Sequence, residues 1–282
     1  MILHRVLGMA LVGTMLSLPA QAQEDTRRVA STALCGDQLL LTLLPPARIA
    51  ALSAQAVDPG LSDAAARAQG LPVLPADAEG FLWAGADIVV GSDRGDSQTL
   101  SLLRRLGVTV VRMPPTNSFT EAMEQLRSVS TVLGVAEGGQ ALASDNEQQL
   151  ARLLAERPAD PPLAAYYRPD GGSSGQGTFM NEALTFGGYR NLAAEVGQSG
   201  WGRLDLETLV LHPPAALITA YFDRPGWSLR HKFSHHPLFR RLAASRPTIA
   251  LPGSLVACSG WPLIKGIAFL AAARPPAGDH HD

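Results

Sequence analysis

The sequence predicts an α/β fold with two lobes, each built on a mostly parallel sheet, joined by a single long helix. Short apolar runs of strand length alternate with helical segments in both halves of the chain. A polar-faced helical stretch separates the halves and ends at Pro158 and Pro161-Pro162. Because strands connected through helices return parallel to one another, we expect helices on both faces of each sheet.

Composition supports a large buried core and argues against two kinds of partner. Hydrophobic residues make up 46% of the 282 residues, charged residues make up 17%, and the formal net charge is −2. Lysine occurs only at Lys232 and Lys265, and the chain has no stripe of basic residues. Nucleic acids and anionic membranes are bound by such basic surfaces, so we expect neither as a partner.

The first residues have the layout of a cleavable secretory signal. A basic start at His4 and Arg5 precedes an apolar run from Val6 to Leu18, and small residues follow in Ala20-Gln21-Ala22. The apolar run is too short to cross about 30 Å of hydrocarbon, and no cysteine directly follows it. We therefore expect removal of residues 1–22 and a soluble mature protein in the periplasm.

The first lobe is predicted to span residues 23–138. Its short third helix ends in an apolar triplet, of which Phe81 and Leu82 are expected to face inward and Trp83 to lie in the core. The predicted strands are Arg28–Ser31, Ile49–Ser53, Asp87–Gly91 and Val108–Met113. The predicted helices are Gly36–Leu44, Ala64–Gln69, Ala76–Trp83, Gln98–Leu106 and Ser118–Leu133.

A linker helix is predicted over residues 139–158, after a break at Gly138-Gly139. The second lobe then spans residues 159–275, and residues 276–282 form a disordered tail. Its predicted strands are Leu163–Tyr167, Ala216–Tyr221 and Pro247–Leu251. Its predicted helices are Thr178–Phe186, Leu206–Leu211, His236–Ala243 and Ser259–Ala273, and a glycine-rich loop covers Asp170–Gly177.

The chain has two cysteines, Cys35 and Cys258, one near each end. In an oxidising compartment two cysteines most simply form a disulfide, which requires Cα atoms within about 7 Å. Two alternatives remain: a thiol that contacts a bound ligand or its metal, or two unrelated buried thiols. The spacing excludes a CxxC-type redox or zinc site.

Aromatic and basic side chains follow the predicted strands of the second lobe. A cleft between two α/β lobes, at the carboxyl ends of the strands, is a common place for a ligand. Aromatic rings would stack on a large planar ligand, and arginine would pair with its carboxylates or phosphate. The alternative for each tyrosine is core packing. The candidate ligand-binding residues are Tyr166, Tyr167, Arg168, Trp201, Arg203, Tyr221 and Arg224.

The sequence gives little indication of an enzyme or a metal site. It contains no HExxH or Walker motif, and Ser173-Ser174 with a distant histidine is unremarkable, so we expect no enzymatic activity. The glycine-rich loop lacks the Gly-Lys-Ser/Thr ending of a phosphate loop. His231, His235 and His236 lie in one polar stretch without a nearby acidic residue, which favours a solvated loop over a metal site.

An ordered series of segments resembles one known family. The series begins with Arg28–Ser31 and Leu34–Leu40, continues through Ala86–Val90 and Gly188–Ala193, and closes with Val256–Pro262. It is similar to the helix-linked (class III) periplasmic substrate-binding proteins of iron-siderophore, haem and vitamin B12 ABC importers. The resemblance covers nearly all of the mature chain and implies two Rossmann-like lobes with the cleft between them.

The resemblance also implies a function and partners. The cargo would be a metal chelate or a corrinoid containing Fe or Co, the protein would have no cofactor of its own, and it would act as a monomer. The partners would be an ABC permease and its ATPase, docked through Glu207 and, on the first lobe, Asp96. Cys35 and Trp261 would contact the cargo. The alternative is a secreted thiol-dependent redox or metal-handling protein that uses Cys35 and Cys258.

Overall fold

The structure, a computed structural model, describes residues 25–92, 97–222 and 235–275. The predicted α/β fold is confirmed, because these residues form two sheets of four parallel strands and one two-stranded sheet. The predicted signal peptide and tail lie outside the described residues.

The strands are β1 (Val29–Ser31), β2 (Ile49–Ala51), β3 (Ile88–Gly91), β4 (Thr109–Arg112), β5 (Leu163–Tyr167), β6 (Gly172–Ser174), β7 (Arg190–Asn191), β8 (Trp201–Arg203), β9 (Ala216–Ala220) and β10 (Thr248–Leu251). The helices are α1 (Leu34–Leu43), α2 (Ala78–Trp83), α3 (Ser97–Arg105), α4 (Phe119–Val132), α5 (Ala136–Ala155), α6 (Phe179–Phe186), α7 (Leu192–Glu195), α8 (Leu206–Leu211), α9 (Pro237–Ala244) and α10 (Leu263–Ala272). Short 3₁₀ helices cover Pro46–Arg48, Ala54–Val57, Ala65–Ala68 and Gly253–Leu255.

The two four-stranded sheets share one topology. The strand order is β2-β1-β3-β4 in the first lobe and β7-β5-β9-β10 in the second, and every neighbouring pair is parallel. Parallel strands joined by helices place their carboxyl ends along one edge of the sheet, where loops from several strands meet. Each lobe therefore has one edge suited to ligand binding.

A local repeat relates α2 in the first lobe to α8 in the second. Residues 77–90 align with residues 205–218 without a gap, so the helices match and β3 and β9 begin at matching positions. The central apolar residue of each helix is fully buried against its sheet. The matched pairs include Asp77 with Asp205, Glu79 with Glu207, and Phe81 with Leu209.

Helix α5 connects the lobes, but it begins earlier than predicted. The chain turns at Gly134, whose φ of +72° suits glycine, whereas Gly138 and Gly139 lie within the first turns of the helix. Gly139 is buried against α4, and a Cβ at this position would lie 2.2 Å from the Cβ of Ser130. The prediction of a break at the glycine pair is therefore wrong: Gly139 allows two helices to approach closely.

Two apolar residues at the end of α2 are exposed, contrary to prediction. Leu82 is 40% exposed and Trp83 is 90% exposed, while Phe81 is fully buried. The reason is geometric, because a helix of this length presents only one face to the sheet and Ala78 and Phe81 already occupy that face.

The glycine-rich loop contains a short strand that the sequence does not predict. Strand β6 within it pairs antiparallel with β8, so that Gly172 lies opposite Arg203 and Ser174 lies opposite Trp201. This ribbon places Trp201 and Arg203 on the surface of the second lobe.

Within residues 25–92, 97–222 and 235–275, no helix has the length and apolar character needed to cross a bilayer.

Candidate ligand-binding site

A cleft of about 390 Å³ lies between the two lobes, at the carboxyl ends of the parallel strands. The first lobe contributes the start of α1 and the residues after β3 and β4, and the second contributes the start of α6 and the segments after β9 and before α10. This is where doubly wound sheets bind ligands. The lining residues are Ala33, Leu34, Cys35, Gly36, Gln55, Leu61, Val90, Gly91, Ser92, Met113, Pro114, Pro115, Gln125, Phe179, Tyr221, Ala257, Ser259 and Gly260.

Among the described residues, the lining of the cleft carries no charged side chain. Its polar side chains are those of Gln55, Ser92, Gln125, Tyr221 and Ser259. Two of them are held by the backbone: Gln125 Nε2 donates to the carbonyl of Pro114 at 2.8 Å, and Gln55 Oε1 accepts from the amide of Leu34 at 3.3 Å.

A disulfide between Cys35 and Cys258 connects the two walls of the cleft. The residues are 223 positions apart in sequence, yet their Cα atoms are 5.4 Å apart. Cys35 lies in the first turn of α1, and Cys258 lies shortly before α10. Of the three possibilities that the sequence leaves open, the structure contains the disulfide. Because disulfide sulfurs are not thiolates, a thiol-dependent function is not favoured.

Polar contacts beside the disulfide also join the lobes. The amide of Thr116 donates to Ser259 Oγ at 3.2 Å, and the first amide of α4 donates to the Glu182 carboxylate at 2.6 Å. Burial raises the pKa of Glu182. Lys265 forms an ion pair with Asp63 on the opposite lobe. Together with the disulfide, these contacts hold the cleft at its present width.

Tyr221, a predicted ligand contact, lines the cleft with an unusual backbone. Its φ is +66°, and no other non-glycine residue in the described part of the chain has a positive φ. The ring lies against Gly253, where a Cβ would be 2.6 Å from the ring and 2.9 Å from the carbonyl oxygen of Gly60. Such strained residues persist where the surroundings fix them, and they cluster at ligand sites.

An aromatic wall, formed by Phe179 and Trp201, extends from the cleft to the surface of the second lobe. The two ring centroids are 5.2 Å apart, and Trp201 is 45% exposed. The Arg168 guanidinium carbon lies 5.7 Å from the centre of the Trp201 ring, and the same guanidinium pairs with Asp170 at 3.5 Å. Of the predicted ligand contacts, Trp201 therefore adjoins the cleft through its contact with Phe179, and Arg168 lies against Trp201. Arg203 is exposed further along the strand of Trp201.

Three predicted ligand contacts are instead buried in the protein core. Tyr166 and Tyr167 are at most 1% exposed, and burial raises the pKa of both. The Tyr167 hydroxyl donates to the carbonyl of Leu204 at 2.9 Å. Trp261 is 8% exposed, and its carbonyl accepts from Asn146 of α5 at 3.1 Å. For the two tyrosines the core-packing alternative applies, and for all three residues burial corrects the prediction of ligand contact.

The remaining predicted residues lie away from the cleft or outside the described residues. Glu207 is exposed in the first turn of α8. Arg224, Asp96 and His231 lie outside the described residues. His236 Nδ1 accepts from the backbone at the start of α9, and the described segments contain no cluster of three or more His, Cys, Asp or Glu able to hold a metal.

Several cleft residues were missed by the sequence analysis, although local signals mark their positions. Met113 directly follows β4, at the carboxyl end of a predicted strand. Phe179 is the first residue of α6, whose cap Thr178 is recognisable from the sequence. Gln55 is the second residue of the 3₁₀ helix that follows the cap Ser53. Residues directly after the observed strands and helix caps, such as Met113 and Phe179, are therefore better candidates than residues within the strands.

Known proteins match this chain in sequence and in fold. It is 25% identical over 207 residues to the uncharacterized ABC transporter substrate-binding lipoprotein YvrC of Bacillus subtilis, covering 67% of this chain and 62% of that protein. It is 24% identical over 137 residues to a cobalamin-binding protein of Halobacterium salinarum, covering 47% of this chain and 37% of that protein. The chain therefore spans less than two thirds of the length of these curated relatives.

Solved structures share the two-lobed fold. The crystal structure of the periplasmic haem-binding protein HutB of Vibrio cholerae superposes with a TM-score of 0.72 at 18% sequence identity. The superposition covers 89% of this chain and 100% of that chain. The sequence family of periplasmic binding proteins matches residues 29–245, a span that contains strands from both sheets and the whole of α5. The chain belongs to the periplasmic binding protein family.

Proposed function

We propose that the protein captures a corrinoid outside the cytoplasm and delivers it to an ABC importer. The observation that carries this proposal is the cleft lined by both lobes, whose described lining residues have uncharged side chains. A corrinoid ring bears neutral carboxamides along its edge, which suit the amide and hydroxyl groups of Gln55, Gln125 and Ser259. Haem carries ionised propionates, for which the described lining has no cation. The cobalamin-binding relative supports the same cargo.

The cargo would lie partly inside the cleft and partly on the aromatic wall. A corrinoid is larger than about 390 Å³, so one edge of the macrocycle would enter between the lobes while its face stacks on Phe179 and Trp201. Tyr221 and the disulfide at Cys35 would contact the inserted edge. The protein would supply shape and hydrogen bonds but no covalent chemistry and no cofactor of its own.

The test is a thermal-shift and calorimetry panel of cobalamin, cobinamide, haem and a ferric siderophore. At 100 times its dissociation constant, a bound ligand adds about 2.7 kcal/mol to the free energy of unfolding. We expect this for the corrinoids, with affinity lowered about tenfold by Phe179→Ala or Trp201→Ala. Trp83→Ala, which removes an exposed tryptophan remote from the aromatic wall, is the matched control and should bind normally.

Two outcomes would contradict the corrinoid proposal. If no compound in the panel shifts the melting temperature, the protein does not carry this class of cargo. If haem binds tightly and Arg168→Gln abolishes that binding, the cargo is haem, with Arg168 at the rim of the cleft pairing with a propionate.

We propose an ABC permease with its ATPase as the partner, and a periplasmic monomer exported through residues 1–22 as the active form. Docking would use one exposed glutamate from each lobe. Glu207 is the glutamate of the second lobe, and the internal repeat makes Glu79 its equivalent in the first lobe. Glu79 therefore replaces Asp96 as the candidate docking residue of the first lobe.

A further inference from the structure

Three buried residues beside the cleft carry polar groups that have no hydrogen-bond partner among the described residues. These groups are both amide atoms of Gln38 in α1, the hydroxyl of Ser62 and the indole N–H of Trp261. Gln38 is 1% exposed, Ser62 is 2% exposed and Trp261 is 8% exposed. Buried polar side chains are nearly always hydrogen-bonded, because a desolvated group without a partner is costly. A ligand that enters the cleft could supply the missing partners.

Each of the three residues is joined directly to the lining of the cleft. Gln38 lies one turn after Cys35, on the same side of α1. Ser62 directly follows Leu61, and Trp261 directly follows a lining glycine. Cys35 and Leu61 both line the cleft. The unpartnered groups therefore belong to the layer of residues just behind the lining.

Contacts between the lobes bring the three residues into one region. The disulfide joins the side of α1 that carries Gln38 to the segment that precedes α10. The Lys265 ammonium lies 5.9 Å from the centre of the Trp261 ring and pairs with Asp63, the neighbour of Ser62. We call Gln38, Ser62 and Trp261 the buried polar cluster. Both lobes contribute to it, as they do to the cleft.

The hydrogen-bonding groups of the cluster suit a neutral carboxamide better than a carboxylate. Gln38 Oε1 is an acceptor, so its partner must carry a donor, which an ionised carboxylate lacks. The Gln38 amide nitrogen and the Ser62 hydroxyl can both donate to an oxygen. The Lys265 ammonium, which could attract a carboxylate, is already paired with Asp63. A carboxamide offers both the donor and the acceptor that the cluster needs.

Resting on the proposed function, we infer that Gln38 and Ser62 bind one carboxamide arm of the corrinoid, which enters when the half-buried Leu61 side chain moves aside. Gln38 Oε1 would accept from the N–H of the arm, and the Gln38 amide and the Ser62 hydroxyl would donate to its carbonyl. The Trp261 ring stays in the core, and its N–H contributes to the polarity of the region. The arm would anchor the edge of the macrocycle that enters the cleft.

The experiment measures the cobalamin affinity and the melting temperature of two variants. Gln38→Met keeps the approximate length of the side chain and removes both polar atoms, and Ser62→Ala removes the hydroxyl. We expect each variant to bind cobalamin about tenfold more weakly, because a hydrogen bond to the arm is lost. Without cobalamin, each variant should melt at the wild-type temperature or above it, because the unpartnered groups form no bond within the protein.

Ser173→Ala is the matched control for Ser62→Ala. Ser173 is 1% exposed, and its hydroxyl also lacks a partner within the described part of the chain. It lies in β6 and is absent from the lining of the cleft. Because Ser174 pairs with Trp201, Ser173 points to the other face of the ribbon from the aromatic wall. This variant should bind cobalamin within about twofold of the wild type.

A second measurement varies the ligand instead of the protein. Cobalamins in which one side-chain amide is hydrolysed to a carboxylate are tested isomer by isomer. We expect the wild type to bind one isomer at least tenfold more weakly than the others, because a site built for an amide N–H rejects an arm without it. In Gln38→Met this difference should shrink, since neither form of the arm gains from entering the cluster.

The outcomes separate this inference from the proposed function. Wild-type affinity for cobalamin in both Gln38→Met and Ser62→Ala overturns the inference alone, as does equal weakening by Ser173→Ala. Variants that melt lower but bind normally would assign the polar groups to internal water and overturn it too. If the variants melt lower and also bind weakly, the isomers decide, and a wild type that does not distinguish them overturns the inference. A wild type that binds no corrinoid overturns the proposed function, and the inference falls with it.

Discussion

Asp37 lies behind the cleft and positions one of its lining residues. It is fully buried in the first turn of α1 and accepts two hydrogen bonds from Ser53, from the amide at 3.0 Å and from Oγ at 2.5 Å. Ser53 Oγ in turn accepts from the amide of Gln55, whose side chain lines the cleft. Burial raises the pKa of Asp37 to about 7.

Replacement of Asp37 should change how stability depends on pH. Because its folded-state pKa lies above the value of about 3.9 for an exposed aspartate, the folded protein binds this proton more tightly than the unfolded chain. Its stabilising contribution is complete below about pH 4 and is lost as the pH rises toward 7. Between pH 5 and 7, the free energy of unfolding of Asp37→Asn should fall less steeply with pH than that of the wild type. The two slopes should differ by up to about 1.4 kcal/mol per pH unit. Urea unfolding at several pH values measures this, and parallel curves for the two proteins would refute it.

At the scale of elements, the strands were predictable because buried parallel strands are continuous apolar runs. Strands β3 and β9 illustrate this, since both are buried along their whole length and appear as such in the sequence. Side-chain direction at the ends of strands was not predictable in the same way. Alternation requires Tyr166 and Tyr167 to point to opposite faces, but the sequence does not say what covers each face.

The glycine pair in α5 shows a second limit of sequence reasoning. Adjacent glycines usually indicate a break, and only the position of α4 reveals that Gly139 is a point of close contact. The same limit applies to Trp83, whose hydrophobicity predicts burial although its helix has no second covered face. In both cases the deciding fact is which neighbouring element is present, and that fact is tertiary.

The two glycines of α5 should respond oppositely to alanine. Gly139→Ala would place a Cβ 2.2 Å from the Cβ of Ser130, forcing α4 and α5 apart at a cost of about 1–3 kcal/mol. Gly138→Ala is the matched control, because its Cβ would meet only Leu43 Cδ2 at 3.7 Å and alanine favours the helix by up to about 1 kcal/mol. Thermal and urea unfolding of both variants measure the difference. Similar stability in the two variants would show that the helices tolerate the added methyl group.

At the scale of the whole molecule, the lobes are connected in sequence through α5 and in space across the cleft. The cross-cleft connections differ in kind: one is covalent, between Cys35 and Cys258, and the others are hydrogen bonds and the ion pair of Lys265 with Asp63. An exposed ion pair contributes about 1 kcal/mol or less. The disulfide is therefore expected to dominate the coupling between the lobes.

Removal of the disulfide should destabilise the protein far more than removal of the ion pair. The double variant Cys35→Ser with Cys258→Ser loses a cross-link between residues 223 positions apart, which restricts the unfolded chain and is worth about 3–5 kcal/mol. Lys265→Ala, which removes a contact between the same two lobes, should cost about 1 kcal/mol or less. Urea unfolding without reductant compares the three proteins. A double variant as stable as Lys265→Ala would mean that the lobes are held together by packing and α5 alone, with the disulfide contributing little.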